Sequence, residues 1–136
     1  ADIVLGKDHD IIAEILSATD GRGVDNSCEF SGSPIALANT IRSTRMGGYV
    51  NVLSVYGSPT PEIPMNELVF RYLHLKGING RKMWSTWDTM HELLGAGKID
   101  VESIVTNQFP ISDFIQGMEL ATSGKCGKVV LQFPSS

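Results

Sequence analysis

Two glycine-rich stretches carry the residue types that cradle phosphates. Gly21-Arg22-Gly23-Val24-Asp25-Asn26 holds two of the three glycines of a dinucleotide-binding turn, and Ser123-Gly124-Lys125-Cys126-Gly127-Lys128 imitates a P-loop. Such turns work when they follow a strand and open a helix, because the helix amides then face the phosphate. Both stretches instead lead into runs that read as strands. The second also lacks the first glycine and a hydroxyl residue after its lysine. Neither is expected to bind phosphate. His9, His74 and His91 are isolated, with no CxxC or HExxH spacing, so they read as surface or satisfied core residues rather than metal ligands. Asp25, Glu29 and His91 are acid-base candidates for a stand-alone enzyme, but no spacing joins them into a constellation.

The run Lys76-Gly77-Ile78-Asn79-Gly80-Arg81-Lys82-Met83-Trp84-Ser85-Thr86-Trp87 is richer. Two glycines at a strand end let another backbone or a flat ligand approach closely. An arginine, a lysine and two tryptophans follow. They read either as a ligand-facing cluster or as core and interface anchors beside a solvated basic face.

These residues need elements to hold them, and apolar runs alternate with helical patterns along the whole chain, the signal of an α/β layer structure. A short strand is expected over Asp2 to Leu5. Asp8 is then expected to cap a helix whose stripe is Ile11, Ile12, Ile15 and Leu16. Val24 to Phe30 reads as a strand, and Ser33-Pro34 opens a helix with a hydroxyl cap and a proline in the first turn. That helix, carrying Ile35, Leu37, Ala38 and Ile41, is expected to stop at Gly47-Gly48. Tyr49 to Val55 follows as strand, Gly57 to Pro61 as loop, Met65 to Tyr72 as helix and Leu73 to Ile78 as strand. A helix from about Ser85 should bury Trp87, Met90, Leu93 and Leu94. Ile104 to Phe109 reads as extended. Ser112 should cap a helix carrying Ile115, Met118 and Leu120 and closed by Gly124, and Val129 to Phe133 completes the pattern. Strand-helix-strand units of this spacing favour a parallel sheet with ligands beyond the C-terminal strand ends.

At 136 residues the chain is long enough for one compact domain, and 42% hydrophobic with 19% charged residues is ordinary globular composition. A net charge of −4 offers no basic footprint for nucleic acid or an anionic membrane. Cys28 and Cys126 are far apart in sequence and read as buried or idle thiols, with the cytoplasm as the expected compartment. The chain opens on Ala1 with a run that already reads as strand, which suggests a piece of something longer.

Thr19-Asp20-Gly21-Arg22-Gly23-Val24-Asp25, Glu29-Phe30-Ser31-Gly32 and Gly47-Gly48-Tyr49-Val50-Asn51-Val52-Leu53 resemble the later half of the coenzyme domain of zinc-type medium-chain dehydrogenases/reductases. The run from Gly77 to Trp87, and the tail from Leu93 to Leu131, are similar to the threonine dehydrogenase branch of that family; sorbitol and other polyol dehydrogenases share much of this half. The resemblance implies an α/β fold: a partial Rossmann-type parallel sheet, without the N-terminal strand-GxGxxG-helix portion, plus the C-terminal tail of the catalytic domain. It implies that residues 1–92 are the C-terminal part of the NAD-binding domain and 93–136 its last helix and the tail. Leu53, Ser54 and Val55 match the stretch that packs along the nicotinamide riboside, Ile78 and Asn79 the strand end facing the carboxamide, and Ser31 and Gly32 the border of the adenosine side. Asn79 departs from the threonine usual in that branch. Lys128 matches an arginine near the pyrophosphate. The resemblance implies NAD and zinc as cofactors of the parent enzyme, an alcohol or L-threonine as its substrate, and neither catalytic nor metal-binding residues in this chain. An inactive chain is therefore expected, with weak NAD affinity at most. It is also expected to form a homo-oligomer through a sheet edge left open, or to serve as an association module.

Overall fold

The computed structural model describes residues 2–6, 8–57 and 61–134. They pack as two compact units, residues 1–80 and 81–136.

The first unit is built on three parallel strands: β1 (Val24–Glu29), β2 (Thr44–Val52) and β3 (His74–Gly77), hydrogen-bonded in that order. Helix α1 (Ile11–Ala18) precedes β1, α2 (Pro34–Ser43) connects β1 to β2, and α3 (Met65–Phe70) connects β2 to β3. The expected stripe on α1 is present: Ile11, Ile12, Ile15 and Leu16 are half-buried while Ala13, Glu14 and Ser17 face out. The helix is capped by Asp10, whose carboxylate accepts from the Ala13 amide at 3.1 Å. Asp8, the expected cap, lies two residues too early to reach the first free amides. The expected strand over Asp2 to Leu5 does not form, and among the described residues no strand supplies a ladder for it.

Helix α2 starts as its sequence dictates, with Ser33 accepting from the Ala36 amide and Pro34 in the first turn. Its end differs from expectation. It stops at Ser43, and β2 begins at once with Thr44. Gly47 and Gly48 instead occupy an irregular stretch of β2, where Val24 pairs with Thr44 but Asn26 with Tyr49. A side chain on Gly48 would meet the Arg45 carbonyl at 2.9 Å and the Asp25 carbonyl at 3.0 Å, so the bulge needs a residue without one. No glycine closes α2. Its C-terminal carbonyls are met from outside by Arg71, whose guanidinium donates to Ile41 at 3.2 Å and Arg42 at 2.8 Å, and also to Thr44.

Strand alternation sends Ser27, Glu29, Val50, Val52 and Leu75 toward the helices, and Asn26, Cys28, Tyr49, Asn51, His74 and Lys76 to the opposite face. Leu37, Ile41, Val50 and Leu73 form the buried core, with Val52, Tyr56, Ile63 and Leu68 packed against it. Ile35, one of the apolar residues read on α2, is exposed. On the other face Tyr49 stacks on His74, ring centres 4.5 Å apart. The loop expected over Gly57 to Pro61 lies, at 58–60, outside the described residues.

The second unit holds α4 (Ser85–Gly95), a parallel pair β4 (Val105–Pro110) and β5 (Lys128–Gln132), and α5 (Phe114–Thr122) between them. Helix α5 crosses the pair through Gly117, where an added side chain would meet Leu131 at 3.3 Å and Phe109 and Val129 at 3.5 Å. A 3-10 turn over Ile111–Asp113 leads into α5 in place of the expected Ser112 cap. Ile115 and Met118, two of the three apolar residues read on α5, are exposed, and only Leu120 is half-buried. The face expected to be buried on α4 is not: Trp87, Met90, Leu93 and Leu94 are all exposed, and the helix has no buried residue. Two strands and one helix give α4 too little apolar surface to pack on. No helix among the described residues is long and apolar enough to cross a membrane.

Candidate functional site

A parallel sheet with helical crossovers gathers its strand ends at one rim, and that rim is where such folds bind ligands. In the first unit the rim is formed by Glu29 to Gly32 after β1, Leu53 to Tyr56 after β2, and Ile78 to Gly80 after β3. Ladder bonds continue past the strands: the Leu53 amide donates to the Glu29 carbonyl at 3.0 Å, and the Ile78 amide to the Val52 carbonyl at 2.9 Å. The backbone therefore fixes the relative heights of the three segments.

Glu29 organises the rim. Its side chain is 2% exposed and accepts from five donors. These are the Ser31 amide at 2.7 Å, the Ser31 hydroxyl at 2.6 Å, the Gly32 amide at 3.1 Å, the Tyr56 phenol at 2.7 Å and the Ser54 hydroxyl. Burial alone would raise the pKa of this carboxyl; the bonds from Ser31, Ser54 and Tyr56 outweigh it and bring the value to about 2. The group is a permanent anion at neutral pH. Burial, and then donation to this carboxylate, push the Tyr56 phenol above its usual range.

Gly32 makes the rim narrow. It has φ +71°, and an added side chain would meet the Val55 carbonyl at 2.7 Å, so the loop after β1 lies directly on the segment after β2. Beside this contact Leu53, Val55 and Ile78 expose apolar side chains to solvent, with Val55 91% exposed. Asn79 is exposed next to them. The rim thus offers exposed apolar side chains beside a close backbone approach, with few side chains able to donate or accept a proton.

Of the residues expected at a coenzyme site, Ser31, Gly32, Ser54 and Val55 come together around Glu29, and Leu53, Ile78 and Asn79 sit on the adjoining strand ends. Lys128 belongs to the second unit, at the exposed start of β5. Tyr56 was not expected. Its signal in the sequence was weak: a tyrosine after a strand end, in register with an acid that needs donors. The acid-base candidates are not joined. Exposed Asp25 is held below its usual pKa by Arg45 and Arg22, at 2.5 and 3.1 Å, and His91 is on α4 in the other unit. Glu29, saturated with donors, cannot serve as a general base near neutrality. Neither cysteine is in a disulfide; Cys28 is exposed rather than buried and Cys126 is half-buried.

Zinc does not fit the residues present: among those described, no three His, Cys, Asp or Glu side chains gather where they could hold a metal ion. The turn Thr19 to Gly23 joins α1 to β1 and so cannot offer helix amides to a phosphate.

The first unit is thus a parallel α/β sheet whose rim carries exposed apolar side chains rather than a catalytic cluster. A family model described as zinc-binding dehydrogenase matches residues 1–96, and the chain belongs to that family. It is 42% identical over 119 residues to the L-threonine 3-dehydrogenase of Bacillus subtilis, covering 87% of this chain and 34% of that protein. It is 38% identical over 130 residues to the L-threonine 3-dehydrogenase of Bacillus licheniformis, covering 96% of this chain and 38% of that protein. Among solved structures, the 2R,3R-butanediol dehydrogenase of Bacillus subtilis superposes with a TM-score of 0.77 at 27% identity, covering 95% of this chain and 36% of that one. The chain thus spans little more than a third of the length of the relatives it matches.

Proposed function

We propose that this chain is the coenzyme-facing C-terminal part of an NAD-linked, zinc-dependent dehydrogenase acting on a secondary alcohol, with L-threonine as the favoured substrate. Residues 1–92 belong to the nucleotide-binding half in this reading, and 93–136 to its last helix and the tail returning to the catalytic domain. The observation that carries it is the rim: Leu53, Val55 and Ile78 form an exposed apolar strip at the C-terminal ends of parallel strands, with Gly32 pressed on Val55. The flat face of a nicotinamide ring suits such a strip, with Leu53, Ser54 and Val55 along the nicotinamide riboside, Ile78 and Asn79 facing the carboxamide, and Ser31 and Gly32 bordering the adenosine side. The full-length enzyme would pass hydride from the alcohol to NAD, while the metal that polarises the alcohol oxygen would be held by residues outside this sequence.

By itself the chain should bind NAD weakly, because much dinucleotide affinity comes from a helix N-terminus cradling the pyrophosphate. Titrating NADH and following its fluorescence should give a dissociation constant no tighter than the millimolar range. Micromolar binding would mean the phosphates are held here after all.

A second reading, a non-catalytic module for association, is favoured by one observation: Trp87, Met90, Leu93 and Leu94 expose a continuous apolar face on α4.

A further inference from the structure

We infer that Glu29 is a positioning residue for the coenzyme: its buried carboxylate ties the loop after β1 to the segment after β2, so that the two border the coenzyme in one fixed geometry. The inference rests on the coenzyme reading above and adds to it the residue that shapes the site without touching the ligand.

Three features support it. The five donors to Glu29 come from both segments: Ser31 and Gly32 from the first, Ser54 and Tyr56 from the second. Among the described residues no other side-chain hydrogen bond joins the two segments. Their other links are the ladder bond from the Leu53 amide to the Glu29 carbonyl, at the base of both segments, and the close backbone approach of Gly32 to Val55 beyond it, which repels on compression and holds nothing together on expansion. The donors are also ordered in their turn. The Ser31 hydroxyl accepts from the Ser33 amide at 3.2 Å, which orients it toward Glu29 at the start of α2, and the Tyr56 ring packs on the core.

A buried anion is an expensive way to fill space; an apolar side chain of similar volume would often be as stable or more so. What a carboxylate does and an apolar residue cannot is hold five donors in fixed directions. Two of those donors are backbone amides of the very loop that borders the site. The strand-end segment at Ile78 and Asn79 is tied by the backbone bond from Ile78 to Val52 and owes nothing to the Glu29 side chain. It serves as an internal control.

The test uses backbone amide resonances of the intact chain with millimolar NADH. In the native chain, NADH shifts the resonances of Gly32, Val55 and Asn79. In Glu29→Gln, amide exchange at Ser31 and Gly32 rises by roughly tenfold or more while that of Val50 and Leu73 stays slow. The NADH-induced shifts at Gly32 and Val55 shrink severalfold, and the shift at Asn79 persists. Tyr56→Phe keeps the ring in the core, and so covers the case in which Glu29→Gln fails to fold. It should loosen Ser54 and weaken the response at Val55 without raising exchange at Ser31 and Gly32. If both variants fold and the responses at Gly32 and Val55 match the native ones, Glu29 is structural only and the inference fails. If NADH shifts no rim resonance in the native chain, no coenzyme seats on this rim in the isolated chain and the positioning role fails.

Discussion

Glu29 is also where the chain's stability should be most sensitive to acid. Its folded pKa of about 2 lies below the ordinary 4.5, so folding favours the ionised form. A group depressed in this way contributes its full stabilisation above about pH 4.5, and loses it as pH falls through about 2. Urea midpoints followed by far-ultraviolet circular dichroism should therefore drop between those limits. Glu29→Gln should be less stable by about 2–3 kcal/mol at pH 7, the usual worth of charge-assisted bonds left unmet, and its profile should be flatter over the same acid range. Equal slopes for the two chains would place the acid sensitivity elsewhere. Little of this was legible in the sequence. Glu29 stood out as a strand end, but nothing local distinguishes an acid aimed at solvent from one saturated by a serine and a tyrosine more than twenty residues on. The rim residues Ser31, Gly32, Leu53, Ser54, Val55, Ile78 and Asn79 were legible as lying at or near strand ends, although β2 stops at Val52 and β3 at Gly77, each slightly before the expected end.

At the scale of the elements, starts were easier to read than stops. The Ser33-Pro34 pair announces α2 because a hydroxyl cap and a first-turn proline act within one turn. Its end was misread because the partner of its last carbonyls is Arg71, far along the chain and invisible to local pattern. Arg71 bridges three carbonyls at the join of α2 and β2, and its own carbonyl accepts from the Gly47 amide at 2.9 Å, so it ties helix, bulge and the start of β3 together. A cation at a helix C-terminus also meets the negative end of the helix dipole. Arg71→Ala should cost about 2–4 kcal/mol, since two part-buried carbonyls and an exposed one lose a charged donor. Arg71→Lys should recover less than half, because one ammonium cannot reproduce the fork that reaches three oxygens. Equilibrium unfolding of the two variants checks both numbers. A lysine chain as stable as the native one would show that charge alone matters at this join.

The whole molecule is short of cover. A compact body of 14.7 kDa exposes roughly 7,000 Å², and two separate bodies of the same total mass roughly 8,300 Å². This chain exposes 10,468 Å². Exposed apolar side chains are spread along the chain, among them the α4 face of Trp87, Met90, Leu93 and Leu94, and Tyr49 on the sheet. The sequence pattern showed that α4 is amphipathic, and a stripe at helical spacing is ordinarily a buried one. What it could not show is whether enough partner surface exists nearby. The outer edge of β1 adds a second liability, for among the described residues no strand pairs with it. Unpaired ladder groups on an edge recruit other chains, and charged side chains on that strand oppose it. Here Asp25 is the one charge at the exposed start of β1, and Arg22 and Arg45 neutralise it. We therefore predict self-association through the β1 edge. Gel filtration with light scattering at tens of micromolar should give a mass of at least twice 14.7 kDa, falling on dilution, with slowed amide exchange along β1 in the larger species. A chain that stays monomeric at every concentration, with β1 amides already protected, would mean the edge is covered from within and the exposed α4 face is tolerated.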